Sequence, residues 1–316
     1  MIKIKKQKKF SDLFKYFFEK RMMKILLLGA ISGFPWVIIG SSLSLWLKEE
    51  GLSRSTIGWA GLIFAVYAFN YLWAPLIDRI YIPYLTKKIG HRKSWIFLMQ
   101  SIILICLLFW NFVEPVNSLG LVIGIGLIVA IASATQDITV DALRIEQIRV
   151  DEKEAMSAGA AIAVVGWWTG YKLGGAISLN LAEFFENLGF DNYWELTFIG
   201  LGVVIILFNL GILFINEKSF INKKNAQKNL DNKILKKLKN NNLIARLVAW
   251  ISSTISGPLI SFFKKNGFSI AVGIIAFIFL FKIVIHFYRS SIQYQTNTFV
   301  DSMLAWYPHC QLRTGR

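Results

Sequence analysis

Residues 120–143 read GLVIGIGLIVAIASATQDITVDAL, an apolar run that closes on two carboxylates four residues apart. Its length decides the fold class, because roughly 20 helical residues at ~1.5 Å each cross a hydrocarbon core of about 30 Å. The run lacks the alternating pattern of a transmembrane β-strand. Six further runs of similar length surround it, and spans are expected at about 25–46, 57–77, 94–113, 156–180, 194–216 and 268–285. The composition agrees. With 316 residues, 55% of them hydrophobic, 17% charged and a mean hydropathy of +0.50, the chain has too little polar surface to coat a water-soluble globule. A soluble enzyme is excluded, and an all-α polytopic membrane helix bundle remains.

A net charge of +16 first suggests a nucleic-acid partner. The distribution of that charge assigns it to topology instead. Residues 1–24, 78–93, 144–155 and 217–267 hold 28 Lys and Arg, whereas 47–56, 114–119 and 181–193 hold 2. Positive residues stay on the cytoplasmic side, so the amino terminus and the long 217–267 connection are expected in the cytoplasm, and the nucleic-acid reading loses its support. The first apolar run is as long as a full span and no small-residue cleavage site follows it, which marks a membrane helix rather than a signal peptide. Cys106 and Cys310 form neither a disulfide framework nor a metal-ligand pair. The sequence has no Walker loop, no His/Glu metal pair and no nucleophile elbow, so no metal, cofactor or ATP-driven step is expected.

Five segments follow: a basic cytoplasmic terminus (1–24), a six-helix bundle (25–216), a basic cytoplasmic loop (217–267), a seventh span (268–285) and a polar tail (286–316). Six spans, a basic loop of about 50 residues and one more span resemble half of a major facilitator transporter, in which two six-helix bundles are joined through such a loop. The stretch 243–263 reads either as another span or as a lateral helix on the cytoplasmic surface. Arg246, the Gly257-Pro258 break and Lys264 and Lys265 favour the lateral helix. The tail contains no run long enough to span. It reads as an external polar segment or as coding sequence cut or shifted out of frame. The second reading is favoured, because a major facilitator continues here with five more helices, a carboxy-terminal bundle that the sequence lacks.

Acids inside a span cost roughly 2.5 to 3.5 kcal/mol on insertion scales, so Asp137 and Asp141 are expected to face the bundle interior or a wet cavity. Their spacing stacks them on one helix face, with Gln136 beside them and Arg144 one turn below Asp141. One division of labour makes Asp137 a proton carrier and pairs Asp141 with Arg144 as a gate. The plainer alternative has both acids pin helix 4 to helix 5. Lys172, near the middle of SAGAAIAVVGWWTGYKLGGAISL, should meet an acid or an anionic ligand. Trp167, Trp168 and Tyr171 beside it offer rings that stack on sugars or simply fill space. Gly166, Gly170 and Gly174 form a groove for a close helix partner, and Pro35 between Gly33 and Gly40 kinks the first span. Lys282, near the outer end of the seventh span, can snorkel to the surface. Asp78 and Arg79 end the second span and Gly90-His91-Arg92-Lys93 opens the third. An acid beside a basic cluster either latches a cytoplasmic gate or only anchors topology.

These residues resemble the AmpG muropeptide permeases, a branch of the major facilitators. The matching stretches are LLLGAISGFPWVIIGSSLSLWL (26–47), WAPLIDR (73–79), GHRKSW (90–95), ASATQDITVDALRIE (132–146) and 157–179. The loop after the second span is a stretched form of the major facilitator loop motif, with Ala74 at its first glycine position. The resemblance implies proton-driven import of anhydromuropeptides across a bacterial inner membrane for peptidoglycan recycling, with Asp137, Asp141 and Lys172 at charged positions of the family pattern. It fades near Phe281-Lys282. An acetyl-CoA transporter family shares the Gln-Asp-Ile run, and a non-transporting membrane scaffold whose lysines meet anionic lipids is a further alternative. The expected partners are a small-molecule substrate, protons and membrane lipids; oligomeric state is not legible.

Overall fold

In the computed structural model, residues 17–149, 151–217, 221–238 and 242–256 are described, together with 264 and 267. The seventh span and the polar tail lie outside them. The regular elements among the described residues are all helices, with no strand among them: α1 (Lys20–Glu49), α2 (Arg54–Leu72), α3 (Ala74–Arg79), α4 (Leu85–Ile89), α5 (His91–Trp110), α6 (Leu119–Glu146), α7 (Lys153–Asn187), α8 (Tyr193–Leu213), α9 (Ile221–Leu238) and α10 (Leu243–Ile251). Five of these, α1, α2, α5, α6 and α8, are long and apolar enough to cross a membrane. The fifth expected span, 156–180, coincides with α7, whose 35 residues extend about 52 Å. Its glycines, alanines and Lys172 keep it less apolar than the others. The chain divides into two compact units, 1–237 and 238–316, and the division falls within the expected 217–267 loop.

Bundle packing starts from a backbone-to-backbone seam. α1 and α7 run parallel, and a Cβ added at Gly166 or Gly170 would collide with the carbonyl of Leu26 or Ala30. The reverse holds too: a Cβ at Gly33 would strike the Trp167 carbonyl. In lipid no hydrophobic force drives helices together, so close approach of small residues supplies the attraction through dispersion. The groove read from 166, 170 and 174 is therefore filled by α1.

Pro35 does not end α1. The helix continues through a π-helical segment, Val37–Ser42, before returning to α geometry at Leu43. Proline cannot donate to the carbonyl four residues back, which is Ile31. The Gln136 side-chain amide of α6 donates to that carbonyl instead, at 2.8 Å. By contrast the second span, expected as one run over 57–77, breaks at Trp73. α2 contains two 3₁₀ segments, and Pro75 opens the short α3, where its missing N–H costs nothing.

The first unit's helices close differently at their two ends. At the aromatic end Trp46, Trp110, Trp194 and Phe198 are nearly fully buried, with Trp110 and Phe198 centroids 4.8 Å apart. At the charged end Gly90, with φ of +109°, turns the chain into α5 in a conformation that L side chains rarely adopt. A Cβ there would also meet the Glu217 carboxylate, which accepts hydrogen bonds from the Arg92 and Lys93 amides at 2.8 and 3.1 Å. An acid thus neutralises the exposed N–H groups and positive dipole end of α5.

Candidate functional site

Asp137 lies on α6 nine residues before its charged end, about 13 Å along the axis. It is half-buried, and Ser32 on α1 donates a hydrogen bond to its Oδ1 at 2.6 Å. Next to it Gln136, fully buried, is the side chain that serves the Ile31 carbonyl. Both residues thus tie α6 to α1, not to α7. Around Asp137 the side chains are polar but underused. Gln136 Oε1 is buried without a hydrogen-bond partner, while Trp36 Nε1 reaches toward the Asp137 carboxylate and Ser133 Oγ toward the Tyr67 hydroxyl without closing hydrogen bonds of ordinary geometry. Such groups are rare in packed interiors and carry a cost, so their convergence beside one carboxylate marks a site suited to water or a polar ligand atom.

An aromatic layer adjoins this site. Trp36 contacts Tyr67 at 4.5 Å, Phe64 at 4.9 Å and Trp167 at 5.5 Å between ring centroids. Trp167 stacks on Tyr171 at 5.6 Å, which leads to Lys172. The Lys172 ammonium sits 5.6 Å from the ring centroids of both Trp168 and Tyr171, and the Tyr171 and Ser41 hydroxyls are 3.2 Å apart. A cleft of ≈ 360 Å³ is lined by Ser41, Ser42, Tyr171, Lys172 and Ser178 among others. Its wall is partly the π-helical segment of α1. No ion pair joins Lys172 to an acid among the described residues. The cation is held by aromatic faces and left open to an anion.

Asp141 and Asp137 share a helix but not an environment. The Asp141 side chain is 67% exposed and pairs with Arg144 at 3.0 Å. Arg92 is the centre of the charged end, with its side chain 11% exposed. It reaches Asp78 on α3 at 3.2 Å and Glu146 on α6 at 3.0 Å, joining three helices. Arg79 instead pairs with Asp231 of α9. The charges at 78, 79 and 92 therefore form contacts within the first unit.

Several of these partners escaped the sequence reading. Ser32, Trp36 and Tyr67 carry no spacing signal that sets them apart from other small or aromatic residues of their helices. Glu146 is more accessible, since it follows Asp137 and Asp141 down the same helix, two residues after Arg144, and is the last residue of that helix. Glu217 and Asp231 belong to a stretch dominated by lysine, where single acids draw no notice.

The Major Facilitator Superfamily model matches residues 25–300, and the chain belongs to that superfamily. The match runs past Phe281-Lys282, where the resemblance was expected to fade, and into the polar tail. A Rickettsia conorii protein bearing the transporter name AmpG 4 is 33% identical over 269 residues, 85% of this chain and 58% of its own length. The anhydromuropeptide permease of Escherichia coli K12 is 32% identical over 185 residues, 58% of this chain and 36% of its own. An uncharacterized protein of Haemophilus influenzae is 28% identical over 272 residues, 86% of this chain and 56% of its own. The AmpG resemblance is thus borne out. The chain spans about half the length of the curated relatives it matches.

Proposed function

We propose that this chain serves a proton-coupled permease of a bacterial inner membrane that imports anhydromuropeptides, with its amino terminus in the cytoplasm. The observation that carries the reading is Asp137: a carboxylate within an apolar helix, bonded to Ser32 across a helix interface and surrounded by the polar atoms of Trp36, Tyr67 and Ser133. A group there can take up and release a proton while donors nearby accommodate either state. Lys172 and its cleft supply the complementary function. A cation on aromatic faces beside three serines suits a ligand that presents a carboxylate and sugar faces, as a muropeptide does. The relatives named AmpG and the permease of Escherichia coli support that substrate class. The Lys and Arg distribution supports the orientation.

Uptake of radiolabelled anhydromuropeptide into right-side-out vesicles tests this. Asp137→Asn keeps the Ser32 hydrogen bond and the shape but carries no proton. It should abolish accumulation against a gradient while the protein remains in the membrane. Lys172→Ala should instead raise the apparent KM about ten-fold, the loss of one charge-assisted contact. Full accumulation by the Asn variant would make Asp137 structural, and an unchanged KM would remove Lys172 from the binding site.

A further inference from the structure

α9 carries Lys223, Lys224, Lys228, Lys233, Lys236 and Lys237 and one acid, Asp231. The acid takes the inward position, paired with Arg79, whose side chain is 8% exposed. Ile234 and Leu235 are half-buried on the same side, whereas Lys228, Asn229, Asn232, Lys233, Lys236 and Lys237 are exposed. At about 100° per residue the four exposed lysines spread over an arc of about 180° whose centre lies opposite Asp231. One salt bridge therefore sorts the helix: it turns the acid in and the lysines out.

The helix is also fixed in position along the bundle. Three residues separate its start at Ile221 from Glu217, whose carboxylate is seated on the first amides of α5. Its middle is held to Arg79, the last residue of α3. Both anchors are ends of helices that run into the apolar part of the bundle, so the lysine face lies where that bundle leaves the hydrocarbon and meets headgroup phosphates. Its chemistry argues against other anionic partners. The exposed side bears lysines, asparagines and Leu230, with no aromatic ring among its described residues to stack a nucleic-acid base, and lysine-rich faces are depleted in protein interfaces.

We propose that the face of α9 formed by Lys228, Lys233, Lys236 and Lys237 binds the phosphate groups of anionic phospholipids, with the Arg79–Asp231 pair holding that face outward. Lysines near an anionic surface each add a favourable increment that falls off within a Debye length. The surface goes beyond the transport reading and does not depend on it: it requires a membrane-embedded bundle, not a particular substrate.

The test measures equilibrium binding of fluorescent phosphatidylglycerol to the detergent-purified full chain, with phosphatidylcholine of the same tails as control. Phosphatidylglycerol should bind about ten-fold more tightly, and about 0.5 M salt should erase most of the preference. The quadruple variant Lys228→Gln, Lys233→Gln, Lys236→Gln, Lys237→Gln should bring phosphatidylglycerol down to the phosphatidylcholine level, while four arginines at the same positions should retain it. The pairs Lys228→Gln/Lys233→Gln and Lys236→Gln/Lys237→Gln, each expected to lose about three-fold, secure the result if the quadruple variant does not fold. Undiminished phosphatidylglycerol binding by the glutamine variants overturns the proposal. So does complete displacement by inorganic phosphate, which would indicate a free-anion site, or tighter binding of a single-stranded RNA than of the lipid.

Discussion

The aromatic end and the charged end of the first unit are both closed, but by opposite means. At the aromatic end Trp46, Trp110, Trp194 and Phe198 interlock. Even Glu49 there is held by neutral donors, accepting from Tyr193 Oη at 2.9 Å and from Trp194 Nε1 at 2.5 Å. At the charged end the closure is ionic: Arg92 between Asp78 and Glu146, Glu217 on the start of α5, Arg79 on Asp231, and Arg21 on Glu19 and Glu152. Packed rings resist small displacements because each lost contact is lost outright. Ion pairs exchange partners at little cost where water reaches them. The difference teaches that rearrangement is easier at the charged end, which also lies nearer to Asp137.

Three substitutions break or sharpen that contrast. Trp110→Ala should have the largest effect, removing a fully buried ring that touches Trp46 and Phe198 and donates to the Val122 carbonyl at 3.2 Å. Truncations of this kind cost about 3 to 5 kcal/mol, and thermal unfolding in detergent should show a marked fall. An unchanged melting temperature would mean that the aromatic end is not a rigid closure. Arg92→Ala should be intermediate, about 1 to 3 kcal/mol, because it leaves Glu146, 13% exposed, without its cation. Adding Glu146→Gln should recover part of that loss, and a purely additive double variant would show that the pair is not coupled. Asp141→Asn should be smallest, within about 0.5 kcal/mol, since the pair with Arg144 is an i,i+3 contact with a largely exposed acid. A drop comparable to that of Arg92→Ala would contradict the exposure assigned to Asp141.

Asp137 and Asp141 show where sequence reasoning reached and where it stopped. Their spacing puts them on one face of the helix, but a face four residues long passes from the interior to the surface within one turn near a helix end, and Asp141 is largely exposed. Only packing revealed that Ser32 meets the first while the second turns toward water. The glycines of α7 announced a close neighbour without naming it. α1 fills that place because its own Gly29 and Gly33 offer a matching groove.

The sequence by itself determined the class of protein. Span length is set by the thickness of the hydrocarbon core and can be counted along the chain. The charge at 137, the cation at 172 and the missing N–H at Pro35 are equally local. The tertiary structure decided the partners: Gln136 on the Ile31 carbonyl that Pro35 leaves free, Arg92 between two acids, Asp231 turning six lysines' helix so that its basic side faces out. Each of these joins residues from 54 to 152 positions apart except Arg92 with Asp78, and no periodicity links such distant positions. Which donor finds which acceptor depends on how the helices are packed, and packing is a property of the whole bundle rather than of any one helix.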